Sequence, residues 1–203
     1  MPTKYENFSI RASSPMVSFM PPKPLVLVGL MGCGKTSIGK RLAKRFDIPF
    51  CDSDTEVENS AGCAINDIDA IFGDGALQDG EYKIISKLIN QQVQVIATGC
   101  LSFTYGRTKQ FIKENAISIW LRGDLETLAQ RVTGRKDRPL LEPGREKEIL
   151  GKMIDDYYPI FEEADIQVHT MDESANLTVD RVIVALTEFI KANYPDYHVL
   201  RSV

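Results

Sequence analysis

The chain has 203 residues, 43% hydrophobic and 26% charged. That is the makeup of one globular α/β domain with a full core, not of a disordered or fibrous protein. Lys and Arg number 24 against 28 Asp and Glu, a net charge of −4, which argues against a basic sheath for nucleic acid. No run approaches the roughly 18–20 apolar residues of a membrane span, so neither nucleic acid nor a membrane is an expected partner.

Met1 to Lys23 mixes Ser, Pro and both charges without an apolar centre. It reads as a disordered extension over residues 1–23, with Met16 a second possible start. Glu6 and the scarcity of arginine there argue against a transit peptide, and the protein is expected in the cytoplasm. Leu25 to Val28 is a short apolar run of the kind a buried parallel strand shows. A glycine-rich turn follows, then helical periodicity from Lys35 to Phe46 through Ile38 and Leu42. Ile48 to Cys51 reads as a second strand, Thr55 to Asn90 as helical, Val93 to Ala97 as a third strand and Ile117 to Leu121 as a fourth. Asp124 is placed to cap a helix reaching Val132. Gly134 to Arg145, with two prolines and two glycines, reads as a mobile loop. A helix from Glu146 to Glu163, a strand from Ile166 to His169 and a helix from Leu177 to Ala192 complete a domain over 24–195, with a tail at 196–203. Strand–helix alternation predicts a parallel sheet with right-handed crossovers, covered on both faces.

The four cysteines, Cys33, Cys51, Cys63 and Cys100, form no CxxC pair and lie far in sequence from His169 and His198. Neither a structural zinc site nor disulfides are expected. Cys33 and Cys100 are expected to pack as small residues, Trp120 to lie in the core, and Glu162-Glu163 to be a solvated helix face.

Gly29-Leu30-Met31-Gly32-Cys33-Gly34-Lys35-Thr36 matches G-x-x-x-x-G-K-[ST] in full, between an apolar strand and an amphipathic helix. The glycines let successive N–H groups turn inward at phosphate oxygens, and the helix N-terminus adds its partial positive charge. Lys35 is suited to the β- and γ-phosphates and Thr36 to Mg²⁺, so the chain is expected to bind ATP or GTP. Asp52-Ser53-Asp54 follows the second strand and places two carboxylates on one side, at the sheet edge where ligands bind. One suits the magnesium shell; the other suits an acceptor hydroxyl whose proton it takes. The same pair also suits the cap of the next helix.

With these residues in hand the chain resembles the shikimate kinases, which transfer the γ-phosphoryl group of ATP to the 3-hydroxyl of shikimate. The likeness runs from about Leu25 to Ala192. It is carried by the phosphate loop, Phe50-Cys51-Asp52-Ser53-Asp54, Glu58, Ala61-Gly62-Cys63, Asp67-Ile68, Ala97-Thr98-Gly99, Ile117 to Leu121, Arg138-Pro139-Leu140-Leu141 and Ala164-Asp165-Ile166. The resemblance implies a three-layer P-loop kinase fold, a five-stranded parallel sheet flanked by helices with a lid loop at about 134–145. It implies ATP and Mg²⁺ as cofactors, a small hydroxyl acceptor, a monomer, and a place in aromatic amino-acid biosynthesis. Nucleotide would lie on Gly32, Cys33, Gly34, Lys35, Thr36 and Ser37, with Arg131 over the adenine. Thr36 and Asp52 would hold the metal. Lys35, Asp54 as base, and Arg138 on the lid, stabilising the transferring charge, would be catalytic.

The acceptor half departs from the family. Asp54, Gln78, Gly99, Cys100 and Tyr157 fall at its substrate positions, but Gln78 and Tyr157 stand where the family has two arginines that grip the shikimate carboxylate. Gly99-Cys100-Leu101 stands where it has Gly-Gly-Gly. Charge-assisted bonds are worth about 1.5–3 kcal/mol each, so losing two weakens binding by roughly two to four powers of ten. Arg107 and Lys83 are the nearby cations able to compensate. Three readings therefore stand: a shikimate kinase, a kinase of a less acidic hydroxyl compound, or a nucleotide-binding protein without that turnover.

Overall fold

Leu25–Val28 is apolar at every position, which suits only a strand covered on both faces. In the computed structural model, which describes residues 19–133 and 144–197, this segment is β1, fully buried at the centre of the sheet. The other strands are β2 (Phe50–Asp52), β3 (Val95–Ala97), β4 (Ile117–Gly123) and β5 (Ile166–Thr170). They run in the order β2-β3-β1-β4-β5, every pairing parallel, with Val26 opposite Ile96 on one side and Ser118 on the other. β5 is an edge strand and alternates, with Ile166, Val168 and Thr170 buried and Gln167 and His169 exposed. His169 is a surface residue of that strand.

Chain direction across the sheet decides which helices share a face. From β1 the chain moves outward to β2, and every later crossover moves the opposite way. Right-handed crossovers place the first on one face and the others on the opposite one. α1 (Lys35–Phe46) is therefore alone on its face until α8 (Ala175–Asn193) returns to pack beside it. The opposite layer is built from α4 (Ala76–Gln91), α5 (Gly106–Asn115), α6 (Leu125–Val132) and α7 (Glu146–Phe161), with α2 (Ser53–Ala61) and α3 (Ile68–Phe72) leading into α4. The expected five-stranded, helix-covered parallel sheet is the fold observed.

Several boundaries differ from the sequence reading for physical reasons. The long helical stretch after β2 is broken at Gly62, Gly73 and Gly75, all in left-handed or related positive-φ backbone. α5 and the short 3-10 turn at Ser102–Thr104 occupy a stretch in which the sequence showed no element. Phe19 is buried against Phe46, edge to face at 5.3 Å, and Lys23 donates to the Glu114 carbonyl at 2.9 Å, so packed structure begins ahead of Pro24. Trp120 is fully buried, stacked on Phe161 and meeting Tyr158 edge-on. Glu162 and Glu163 are exposed, and Glu163 pairs with Lys109 at 2.6 Å. The lid expected at 134–145, Arg138 within it, and His198 lie outside the described residues, apart from Gly144 and Arg145.

Candidate active site

Three carboxyl-terminal strand ends, those of β1, β2 and β3, open onto one cavity of about 850 Å³. The turn after β1 must reverse into α1 within six residues, and it does so through positive-φ glycines. At Gly29 (φ 132°) an added Cβ would stand 2.7 Å from the Leu121 carbonyl oxygen, so the loop lies against β4 more closely than a side chain allows. Gly34 (φ 97°) is the N-cap of α1, and its left-handed backbone aims the helix N-terminus into the cavity. Lys35 Nζ donates to the carbonyls of Gly29 (2.6 Å) and Leu30 (3.2 Å), which holds the ammonium across the loop. Gly32, Gly34, Lys35, Thr36 and Ser37 line the cavity, whereas Cys33 is buried beneath the loop. All four cysteines are free. Arg131 lines the cavity too, donating to the Gly32 carbonyl at 3.3 Å and to the Met171 carbonyl. It thereby ties the phosphate loop to the turn after β5.

Asp52 ends β2, and its two carboxylate oxygens are engaged separately. Its Oδ1 accepts from the Asp54 N–H at 3.3 Å, capping α2, while its Oδ2 accepts from Thr36 Oγ1 at 2.7 Å. A hydroxyl and a carboxylate meeting at one point form a hard-oxygen donor pair suited to Mg²⁺, which takes few protein ligands and otherwise binds water and phosphate oxygens. Asp54 lies one step further, in the first turn of α2, and faces the other half of the cavity.

That other half is built around Gly99. Its N–H donates to Ser53 Oγ at 3.2 Å. A Cβ there would overlap Glu81 Oε1 and stand 2.8 Å from both Asp54 Oδ1 and Ser102 Oγ. Glycine at this position is what lets the three side chains converge. Glu81 is 4% exposed and accepts from Ser102 Oγ at 2.8 Å. Burial pushes its carboxyl up to about 7; the Ser102 hydrogen bond opposes that shift, and the charges of Asp54 and Asp69 add to it. Tyr105 closes the same side, its hydroxyl raised by burial and then by Glu81, Cys100, Tyr157 and Asp69.

The expected acceptor residues are divided by the structure. Asp54, Gly99 and Cys100 line the cavity, as does Leu101, which narrows it. Gln78 is exposed on α4 and Tyr157 packs against the core beside Tyr105; neither is a lining residue. The two candidate compensating cations are elsewhere. Lys83 is exposed, and Arg107 lies 3.6 Å over the Tyr82 ring with Asp79 at 3.9 Å. Among the described residues the only cations lining the cavity are Lys35 and Arg131. Glu81, Asp69 and Tyr105 had no role assigned from sequence. The available signal was periodicity: Glu81 falls in line with Ile85, Leu88 and Ile89 on the buried stripe of α4, where a lone carboxyl needs a reason.

A phosphate loop at the edge of a five-stranded parallel sheet, facing a carboxylate across a cavity of small-molecule size, defines a P-loop kinase of small molecules. The family model described as shikimate kinase matches residues 31–188. A shikimate kinase of Paramagnetospirillum magneticum is 43% identical over 177 residues, covering 87% of this chain and 91% of that protein. One of Rhodopseudomonas palustris is 37% identical, covering 89% of each. Among solved structures, the shikimate kinase of Acinetobacter baumannii in complex with shikimate superposes with a TM-score of 0.77 at 28% identity, covering 85% of this chain and 94% of that one. The chain belongs to the shikimate kinase family.

Proposed function

We propose that the protein transfers the γ-phosphoryl group of ATP to the 3-hydroxyl of shikimate. The observation that carries this reading is the single cavity joining Lys35, Thr36 and Asp52 to Asp54 across Gly99. Shikimate kinases at 37–43% identity over most of the chain supply the acceptor. Asp54 takes the proton of the acceptor hydroxyl as its oxygen bonds to the γ-phosphorus, and the bond from that phosphorus to the β-bridging oxygen breaks, releasing ADP. Lys35 and the N-terminal amides of α1 hold the phosphate oxygens. Thr36 and Asp52 would hold Mg²⁺, which would supply charge neutralisation of the phosphates. The resemblance implies Arg131 over the adenine and Arg138 on the transferring phosphoryl group. We further infer a cytoplasmic monomer; no helix among the described residues is long and apolar enough to cross a membrane.

A second reading keeps the chemistry and changes the acceptor to an uncharged hydroxyl compound. What favours it is the absence of a described cation on the acceptor half, with Gln78 outside the cavity. Steady-state ADP release with ATP and Mg²⁺, titrated with shikimate, separates the two. Shikimate-dependent turnover, reduced about 10²–10⁴-fold in Asp54→Ala as for a lost general base, is expected. ATP binding with no response to shikimate overturns the first reading.

A further inference from the structure

Residues 171–174 join β5 to α8, and Glu173 of this turn lines the cavity together with Ala175 and Thr178 from the start of α8. A side-chain cap commonly pins the entry to a helix. Here Ser174, the N-cap of α8, makes no such bond. Within the turn the Glu173 N–H donates to the Met171 carbonyl at 2.8 Å. Two arginines hold the turn from outside. Arg131, on α6, donates to that same carbonyl and to the Gly32 carbonyl at 3.3 Å. Arg181, in the second turn of α8, reaches back over the turn. Its Nη1 donates to Glu173 Oε2 at 3.1 Å, and its Nη2 donates to Glu173 Oε1 and to the His169 carbonyl of β5 at 3.0 Å. Thr178, 2% exposed, adds its hydroxyl to Glu173 Oε1 at 3.0 Å. One guanidinium therefore ties strand, turn and helix together through a two-pronged grip that a lysine could not reproduce.

Partly exposed ion pairs add little to global stability, and the side chains of Arg181 and Glu173 are 37% and 18% exposed. The consequence of this grip is local order. We propose that Arg181 is a positioning residue for the nucleobase, a role that rests on the reading of the phosphate loop as an ATP site with adenine beside Arg131. Arg181 does not itself line the cavity. By holding Glu173 and the His169 carbonyl it fixes the turn, and the turn's Met171 carbonyl fixes the guanidinium of Arg131 at the base end. The other hydrogen bond of Arg131, to Gly32, carries the same order to the phosphate loop. Without the grip, the nucleotide would have to order the turn as it binds, and that ordering is subtracted from affinity. A ligand with phosphates and no base, held by the loop amides and Lys35, has no such dependence.

Calorimetric titration of the full-length protein with ADP and, separately, with inorganic tripolyphosphate, both with Mg²⁺, isolates the base from the phosphates. Arg181→Ala is expected to weaken ADP about tenfold and to leave tripolyphosphate within about twofold of the parent. Arg181→Lys, which keeps the charge without the fork, falls between. Glu173→Ala breaks the same grip with the opposite change of charge, and it too is expected to weaken ADP. Unchanged ADP affinity in Arg181→Ala, or equal losses for the two ligands, overturns the proposal. Opposite effects in the two alanine variants also overturn it, because they mark a field of charge and not a fixed turn. In turnover, KM for ATP rises about tenfold in Arg181→Ala while KM for shikimate holds; a rise in both overturns the assignment. Should Arg181→Ala not fold, Arg181→Lys and Glu173→Gln carry the same comparison. The underlying reading fails separately. A parent protein that binds neither ligand removes the ATP site and the role of Arg181 together, whereas ADP bound without phosphorylation of shikimate removes the kinase assignment alone.

Discussion

Gly99 is where a single residue decides the geometry of the acceptor half. Gly99→Ala places a methyl group against Glu81, Asp54 and Ser102 at once, and overpacking of that kind costs about 1–3 kcal/mol. Its thermal midpoint is expected to fall and its KM for shikimate to rise at least about tenfold, since about 1.4 kcal/mol of lost contact suffices; a variant that keeps the parent KM contradicts the convergence. Glu81 adds a pH signature to stability. Its carboxyl is raised from the 4.5 of an unfolded chain to about 7. Its contribution is therefore complete below about pH 4.5 and is lost progressively as pH rises to and past 7. Glu81→Gln has no such titration. Denaturant unfolding should show it gaining on the parent between about pH 5 and pH 8, by an amount on the order of 3 kcal/mol. The phosphate-loop turn was legible in the sequence because it is made by backbone and fixed spacing, which a motif records. Gln78 and Glu81 were not legible as inside or outside the cavity. A one-turn difference on α4 moves a side chain from solvent to the core, and only the packed helix fixes that.

At the scale of elements, capping and glycine breaks account for most of what separates the helices. Asp124 accepts from the Thr127 N–H at 2.7 Å and from its hydroxyl at 3.0 Å, as the sequence of β4, Asp and α6 anticipates. These bonds hold its carboxyl below the ordinary value. Asp124→Ala is expected to cost about 1 kcal/mol near neutral pH. A depressed carboxyl stabilises only while ionised, so the difference should shrink as pH falls below the usual carboxylate range. Equal unfolding midpoints at pH 7 would refute the cap. Helix α5 escaped the sequence reading for a physical reason. Only Thr108 and Ile112 are buried along its ten residues, too few to print a 3.6-residue period. The stretch from Ser53 to Gln91 misled in the opposite sense, since apolar periodicity persists across Gly62, Gly73 and Gly75 while the backbone turns at each.

Across the whole molecule, the sheet order brings the chemistry together. Residues 29–36, 52–54 and 99 are far apart in sequence, yet β3 lies between β1 and β2, so all three loops leave one edge as neighbours. This convergence followed from strand–helix alternation and right-handed crossovers, whereas the order itself needed the structure or the family resemblance. Trp120 links the core to this edge. It lies opposite Val28, the last residue before the phosphate loop, between Phe161 and Tyr158. Trp120→Ala is expected to cost about 3–5 kcal/mol by chemical denaturation, and a loss within experimental error would show that the core does not depend on it. An architecture of this kind hosts many chemistries. Architecture alone therefore does not choose the acceptor. The measurement that tests the central claim most directly is phosphorus NMR of a reaction holding the protein, ATP, Mg²⁺ and shikimate. The account predicts a shikimate 3-phosphate resonance growing in step with ADP; inorganic phosphate alone, or unchanged ATP, would contradict it.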